Sequence, residues 1–502
     1  MHLFLVIIIS LVATLENILP SIMGFQQTPA NAVFLGTVHH PNDYFYYLSQ
    51  FTQGATRWLT TTNLYTSEIT PDTFVGWSNV LTGHLFWLLS IPAIPAYQIS
   101  IAIWTFLLCL SAYKLALLIL KDKHKALLSL VLFVLYHAFP IFRDNHWTYA
   151  DYWNNFSVPR VRFGGVPHQL LLNTLSVFTL SLLLQKKRLL MALSAFLLAS
   201  LQPVLWLLVT ASCGIVSLIK RRSIFPTLIL MLSGLPAAIY LNKIFSTLPF
   251  SQLKIWEASQ QVPLQITGFF LAMGPIFIIA LLSLYIFLSK RTYERLIIFI
   301  FALLSLTFLM SPIPQMLHLT NIRFMSTLTI LCISCIATEG LYAIQRRFPR
   351  ILFFALTLFL TTLLLPNHMQ TLLLATEFNP ANAYEYLSKD DVKFLTSLTT
   401  IGNPSDTFLV LWPYNSIIPA LTGQRSYNGH PLLTIHPSEK DVNAQAYFDQ
   451  TMTSAQQKEF LINNTIRYII AYSWQTNLKQ ISYLEPVKET DYLIVYKVEL
   501  YP

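Results

Sequence analysis

Charged residues are scarce in this sequence. Asp, Glu, Lys and Arg together make up only 11% of its 502 residues, whereas an ordinary soluble domain contains about a quarter. Hydrophobic residues account for 54%, and the mean hydropathy is +0.54. A water-soluble fold cannot bury that much apolar surface, so the composition predicts a protein embedded in a membrane.

Glycine and cysteine are also few, and several common active-site motifs are missing. With 15 glycines, the chain has no G-x-x-x-x-G-K-[ST] loop, no dinucleotide-binding fingerprint, no H-E-x-x-H and no G-x-S-x-G. These absences disfavour a nucleotide site, and we expect neither a cofactor nor a metal. The cysteines lie in apolar blocks, which disfavours a disulfide framework; they are Cys109, Cys213, Cys332 and Cys335.

The net charge of +9 is concentrated in short basic clusters between the apolar blocks. It does not form the basic face with interleaved aromatics that nucleic-acid binding requires. By the positive-inside rule, such clusters predict cytoplasmic loops. The clusters are Lys121, Lys123 and Lys125; Lys186, Lys187 and Arg188; Lys220, Arg221 and Arg222; Lys290, Arg291 and Arg295; Arg346, Arg347 and Arg350.

Loops on one side of a membrane are joined by an even number of crossings, so the apolar blocks can be assigned between these clusters. The assignment predicts about eleven spanning helices, with two short ones in 189–219, where Gln202 and Pro203 interrupt the block. The others are 3–23, 98–120, 126–142, 168–185, 224–241, 263–289, 296–311, 324–344 and 351–366. The block 79–95 contains two prolines and is expected to lie at the outer interface.

This topology places residues 24–96, 143–167 and 367–502 outside. We therefore expect a mostly α-helical transmembrane bundle over 1–366, with the site on its outer loops, and a small α/β domain over 367–502. In that domain the patterns predict an amphipathic helix over 381–398 and strands over 408–413, 466–472 and 491–500. The loop 418–431 carries Arg425 and His430 and either contacts a substrate or is an ordinary surface turn.

Within the first outer loop, polar residues open an aromatic-rich helix with the sequence HHPNDYFYY. Asp43 is either a first-turn carboxylate that complements the positive end of a helix or a general base at the membrane surface. His39 and His40 precede it and are candidates to line the same site.

The second outer loop and the end of a later span carry cations on the predicted outer side. Arginine binds phosphate oxygens through its planar fork, so these residues suggest a phosphate-bearing lipid. The alternatives are internal pairs with acids of the loop and, for Arg323, a side chain that reaches the interface. The candidates are Arg160, Arg162, His168 and Arg323 for the phosphate, with Asp144, Asp151 and His318 lining the site.

The arrangement resembles the GT-C superfamily of membrane glycosyltransferases, over nearly the whole chain in architecture. It is most similar to bacterial members whose first loop reads H-x-x-D-x-x-Y-x-x-x-x-x-Q-G, because His40, Asp43, Tyr46, Gln53 and Gly54 stand close to that pattern. The resemblance implies an inverting transfer of sugar from a polyprenyl-phosphate donor to a glycan, lipid or protein at the outer face of a bacterial plasma membrane.

Residue by residue, the resemblance makes Asp43 the base and Arg323, with Arg160 and Arg162, the cations over the lipid phosphate. Many relatives have paired acids where Asn42 precedes Asp43, so a metal-assisted mechanism is not implied. Two other functions stay open: a lipid or glycolipid flippase, and a non-catalytic lipid-binding relative. A transporter needs ionisable groups deep in its spans, whereas Lys114 and Glu339 are expected near cytoplasmic ends, where their side chains can snorkel.

Overall fold

The computed structural model describes residues 2–143, 146–149, 162–262, 265–347, 359–360, 364–365, 369, 372–373 and 375–500. It divides into two compact units. Unit 1 contains Met1–Pro20, Ile101–Lys243 and Lys254–Glu377. Unit 2 contains Ser21–Ser100, Ile244–Leu253 and Phe378–Pro502. The first outer loop and the C-terminal segment therefore belong to the same unit, while the predicted domain boundary at 366/367 stays a prediction.

Helices dominate the described residues. In chain order they are α1 His2–Gln26, α2 Pro41–Gln53, α3 Trp77–Leu88, α4 Ala93–Leu120, α5 Lys123–Leu135, α6 Pro167–Leu184, α7 Arg188–Leu201, α8 Pro203–Ile219, α9 Phe225–Ile244, α10 Phe250–Ser259, α11 Ile266–Ser289, α12 Tyr293–Met310, α13 Ile313–Met316, α14 Thr327–Arg347, α15 Lys389–Ser397, α16 Tyr414–Thr422, α17 Pro437–Phe448 and α18 Ser454–Asn463. The strands are β1 Ala32–Phe34, β2 Pro140–Arg143, β3 His146–Tyr149, β4 Tyr386–Ser388, β5 Thr407–Val410, β6 Arg425–Ser426, β7 Ile466–Tyr472, β8 Leu484–Glu489 and β9 Leu493–Val498.

Seven of the described helices, α1, α4, α6, α9, α11, α12 and α14, are long and apolar enough to cross a membrane. The predicted class, an integral membrane bundle that is mostly helical, is confirmed. The block 189–219 forms the two predicted short helices, α7 and α8, which meet at Gln202 and Pro203 because proline begins a helix well. The total of eleven spans stays a prediction, and the last span, 351–366, lies almost entirely outside the described residues.

One predicted span is shorter than expected. The block 126–142 is helical only as α5, which ends at Leu135, and Pro140–Arg143 pairs instead with His146–Tyr149 as an antiparallel hairpin. Residues 137–139 pack against a break in α11, where Gly274 has a φ of +74° and a Cβ would lie 1.9 Å from the carbonyl oxygen of His137. Only glycine allows both that conformation and that approach. Sequence periodicity gave no sign of this break.

Basic clusters from separate loops meet at one end of unit 1. Glu339, near the end of α14, pairs with Lys125 at 2.7 Å and with Arg295. The pair Lys121 and Glu294 adds a contact of 3.7 Å, and Arg222 lies over the ring of Tyr293 at 4.6 Å. These contacts agree with the inference that the basic loops share one side.

The position of Glu339 corrects an expectation. Its side chain does not snorkel to water: it is 7% exposed and is held between two cations that are themselves 11% and 5% exposed. A buried carboxylate needs such partners because desolvating an isolated charge is very costly. Lys125 and Arg295 are therefore structural counterions as well as topology signals.

We expect the basic end of unit 1 to face the cytoplasm. A cysteine introduced as Lys187→Cys should react with a membrane-impermeant maleimide only after cells are permeabilised, whereas Asp390→Cys should react in intact cells. The parent chain is a clean background, because its four cysteines are buried. Labelling of both positions from the same side would contradict the predicted topology.

In unit 2, a five-stranded sheet has the order β6-β5-β7-β9-β8, with β5 parallel to β6 and β7 and the remaining pairs antiparallel. The strands predicted at 408–413, 466–472 and 491–500 are present as β5, β7 and β9. Two other predictions were partly wrong. Tyr386–Ser388 is not helical but pairs with β1 of the first outer loop, and the predicted loop 418–431 begins as the end of α16.

Candidate functional site

Asp43 lies in the first turn of α2, the helix that opens the first outer loop. Pro41 begins this helix, and Asp43 is its first-turn acid. Both choices follow local rules, since proline fixes the starting φ and a carboxylate complements the positive helix end. The Asp43 side chain is 52% exposed. It therefore satisfies the structural role expected of a first-turn acid and is still accessible for chemistry.

His430, from the C-terminal segment, lies against Asp43. Its Nε2 is 3.8 Å from Asp43 Oδ1, and its side chain is only 3% exposed. The backbone N–H groups of Leu432 and Leu433 donate to its Nδ1 at 3.1 and 3.2 Å. Because Nδ1 accepts these bonds, the proton of the neutral ring is assigned to Nε2, which faces the carboxylate.

The segment that carries His430 is fastened to the first outer loop. The Thr434 hydroxyl donates to the carbonyl oxygen of Tyr65 at 2.7 Å and accepts from the backbone N–H of His430 at 3.2 Å. The amide of Asn63 donates to the carbonyl oxygen of Leu433 at 2.8 Å. These bonds join loop residues 63–65 to the turn 430–434, so the position of His430 relative to Asp43 is set by several independent contacts.

Gly429 allows this turn to approach α16. It has a φ of +154°, and a Cβ there would lie 2.3 Å from the carbonyl oxygen of Asn415. The Ser416 hydroxyl donates to the Gly429 carbonyl at 2.6 Å. A side chain at 429 would displace the turn and with it His430.

Three nearby histidines, His430, His40 and His39, lower the pKa of the Asp43 carboxyl group. Partial burial raises the pKa of Asp43, but the contact with His430 and the nearby His40 and His39 outweigh it, so the pKa is lowered from its usual value. Asp43 is therefore ionised across the physiological range. His40 is exposed, while His39 forms a 2.8 Å hydrogen bond with the hydroxyl of Tyr97.

Two tyrosines enclose the other side of His430. The rings of Tyr46 and Tyr65 lie edge-on to the imidazole, with centroids at 5.8 and 5.9 Å. Burial raises the pKa of both phenols, so both are neutral at physiological pH. Among the motif residues, Gln53 accepts from the backbone N–H of Thr62 at 2.9 Å and thereby shapes the loop after α2.

Arg425 fixes the first outer loop against the C-terminal segment through hydrogen bonds, an arrangement called the clamp below. It is 6% exposed, and its Nη1 donates to the carbonyl oxygens of Thr66 and Glu68 at 3.2 and 2.5 Å. Lys440 reinforces the clamp, with its Nζ 2.6 Å from Glu68 and 2.8 Å from the Ser67 hydroxyl. The predicted role of Arg425 in lining the site stays a prediction, and its described contacts are structural.

The Lys440 clamp is expected to stabilise unit 2. Replacing Lys440 by Met should cost about 2 kcal/mol, less than the loss of a fully buried pair because Glu68 is 40% exposed. The exposed pair Lys479 and Glu489 provides a matched control, since Lys479→Met should leave the midpoint of unfolding nearly unchanged. Thermal unfolding of the purified proteins, followed by tryptophan fluorescence, measures both. Equal midpoints for the two variants would contradict this role.

In unit 1, Arg323 lies in a short 3-10 helix, Asn321–Phe324, and forms a bidentate pair with Glu257. Its Nε and Nη2 donate to the two carboxylate oxygens at 2.5 and 3.0 Å, and the Arg323 side chain remains 42% exposed. The neighbouring Asn321 accepts from the backbone N–H of Val262 at 3.1 Å. Sequence reasoning missed Glu257, which had no distinguishing pattern around it.

The other predicted phosphate ligands differ in exposure. Arg162 is fully buried, donates to the carbonyl oxygen of Val134 at 2.8 Å and packs its guanidinium against the ring of Phe163. His168 is half-buried in the first turn of α6, and His318 is exposed. Three predicted site residues, Asp144, Asp151 and Arg160, lie outside the described residues.

Solved structures share this architecture. The Archaeoglobus fulgidus oligosaccharyltransferase AglB matches with a TM-score of 0.57 and 13% identity, over 94% of this chain and 69% of that one. The chain has the GT-C fold. The arabinofuranosyltransferase AftD from Mycobacteria matches with a TM-score of 0.52 and 12% identity. The match covers 97% of this chain but only 40% of the AftD chain. No protein-family model and no curated protein sequence matches the chain.

At 12–13% identity, the similarity to these structures establishes the fold but not the roles of individual residues. Those roles are argued from the contacts in this structure. In unit 2 the structure brings together Asp43, His39, His40 and His430. In unit 1 it places Arg323 beside Glu257, and the carbonyl oxygen of Arg162 accepts from the hydroxyl of Thr327 at 3.2 Å. A single pocket that contains both Asp43 and Arg323 stays a prediction.

Proposed function

We propose that this protein is a membrane glycosyltransferase that moves a sugar from a polyprenyl-phosphate donor to an acceptor outside the cytoplasm, with Asp43 as general base. The observation that carries the proposal is the ionised, half-exposed Asp43 beside the buried His430. A base must be deprotonated and reachable, and Asp43, whose pKa is lowered and whose side chain is half exposed, meets both conditions. The GT-C fold supports the same reading, since AglB was solved in complex with dolichol-phosphate.

The proposed reaction is a single displacement. The acceptor hydroxyl or amide attacks the anomeric carbon, the bond between that carbon and the phosphate oxygen breaks, and the acceptor proton passes to Asp43. The polyprenyl phosphate leaves with the electron pair of the broken bond. Cations over the phosphate lower the barrier because they stabilise charge that develops there. Arg323 and Arg160 are the proposed cations, whereas Arg162 is fully buried in the structure and donates to a backbone carbonyl.

The acceptor is a glycan, a lipid or a protein. An Archaeoglobus fulgidus oligosaccharyltransferase was solved with a tethered acceptor peptide that contains the NVT sequon, which makes a peptide one useful probe. The flippase alternative stays open, although Glu339 is paired with Lys125 and Arg295 at the basic end of unit 1. Transport would instead require ionisable groups that line a path through the spans.

The proposal is tested with purified protein and a panel of polyprenyl-phosphate sugars. We expect consumption of at least one donor, with release of polyprenyl phosphate and appearance of a sugar-bearing product, all followed by mass spectrometry. A flippase would move the intact donor between the leaflets of proteoliposomes without cleaving it. A non-catalytic lipid-binding protein would retain the donor unchanged. Either outcome would overturn the proposed activity.

A further inference from the structure

His430 has an unmet hydrogen-bonding capacity in a buried position. Its Nε2 is shielded from solvent and has no hydrogen-bond partner among the described residues. Its other nitrogen is fully engaged by the N–H groups of Leu432 and Leu433. Buried donors are nearly always paired in folded proteins, so a native exception of this kind calls for a ligand or a functional role.

The open nitrogen is directed at the candidate base. Asp43 Oδ1 lies 3.8 Å away, just beyond the range of a hydrogen bond. The Asp43 side chain is half exposed, so a small rotation can close that gap, whereas the imidazole is held edge-on by Tyr46 and Tyr65. Contacts of catalytic groups are often long before substrate binds and tighten in the complex.

We propose that His430 is a positioning residue for Asp43, an inference that rests on the proposed function. The Nε2–H donates to Oδ1, which turns Oδ2 toward the acceptor and leaves it to receive the proton. Since Nδ1 carries no proton and accepts two backbone N–H bonds, the ring does not relay the proton. The histidine retains its own proton throughout, and the acceptor proton ends on Asp43.

The proposal has a consequence for pH dependence. A hydrogen bond donated to the carboxylate stabilises its charged form and lowers its pKa, in the direction found for Asp43. The base is active when deprotonated, so the acid limb of the rate profile should lie below the ordinary Asp pKa of about 3.9. Removing His430 should move that limb to higher pH. The other titratable groups around the pair are His39, His40, Tyr46, Tyr65 and Tyr97.

Two substitutions separate positioning from packing. His430→Phe keeps a flat ring but has no donor. It should lower kcat/KM by about 10- to 100-fold, because misplacement of a reacting group can cost about 100-fold, and it should move the acid limb to higher pH. His430→Gln carries an amide N–H near the place of Nε2. It should return the acid limb of the pH–rate profile to its position in the parent protein and recover much of the rate. The matched control is the exposed His436, where His436→Asn should change neither. A His430→Phe variant with reduced rate but an unchanged acid limb would overturn the proposal.

A second measurement does not depend on activity. In full-length protein labelled with 15N-histidine, the His430 signal is identified by its absence in His430→Gln. We expect a neutral ring protonated on Nε2, with a chemical shift that changes in Asp43→Asn. A ring protonated on Nδ1, or a signal insensitive to Asp43→Asn, would refute the proposed contact. A correct signal in a protein that transfers no sugar would instead refute the proposed function alone.

Discussion

Asp43→Asn is expected to reduce the rate of sugar transfer by about 10²- to 10⁴-fold, the contribution typical of a general base. Asparagine has nearly the same shape as aspartate, so α2 should keep its start, but the amide cannot accept the acceptor proton. Donor binding should be little changed, because Asp43 acts on the acceptor. The rate of polyprenyl-phosphate release at saturating donor measures the effect.

A first-turn acid also stabilises its own helix, and that effect needs a control. Asp390 is an exposed first-turn acid of α15 in the same unit, so Asp390→Asn removes a similar helix-end charge without touching the site. It should leave transfer within about twofold of the parent, since an exposed helix-end charge contributes only about 0.3 to 1 kcal/mol to stability. Equal turnover by Asp43→Asn and the parent would remove Asp43 as the base.

Arg323→Ala is expected to lower kcat/KM for the donor by about 10²- to 10³-fold, the effect of losing one donor that stabilises developing charge. In the structure, Arg323 is engaged by Glu257 through two hydrogen bonds. Its side chain is still 42% exposed, so a phosphate can approach the guanidinium and bind it through charge-assisted hydrogen bonds. The donor dependence of the initial rate measures the loss.

The partner Glu257 provides the test of this role. If Arg323 only anchors the segment 257–262, Glu257→Gln should damage the enzyme as much as Arg323→Ala. If Arg323 binds the phosphate, Glu257→Gln should preserve or lower the KM for the donor, because the carboxylate no longer competes for the guanidinium. Arg57, which pairs with Asp72 at the surface, offers a control arginine. Equal losses in the Arg323 and Glu257 variants would contradict phosphate binding.

Local patterns were enough to predict much of the fold. Apolar blocks and the Gln202 and Pro203 break predicted α7 and α8, and short runs rich in β-branched and aromatic residues predicted β7 and β9. These features depend on residues close in sequence, where helix and strand periods are legible. The same patterns placed the end of α5 too late, because the pairing of Pro140–Arg143 with a later strand competes with helix formation.

The site was only partly predictable. Asp43 stood out because of its place at the start of an aromatic helix, and His430 was noticed as a loop residue. Their proximity was not legible, since it depends on Thr434, Asn63 and Gly429, which join distant segments. The pairs of Glu257 and Glu339 could not be predicted for the same reason. An ion pair between separate helices produces no periodic pattern in the sequence.

The stereochemistry of transfer tests the central claim most directly. If Asp43 acts as a base in a single displacement, the sugar in the product must have the anomeric configuration opposite to that in the donor. The NMR coupling constants and shifts of the anomeric carbon and proton, measured on the first product formed from a donor of known configuration, determine it. Inversion is the predicted result. Retention would require a covalent sugar intermediate or attack from the face that the phosphate leaves, and it would contradict the single displacement assigned to Asp43.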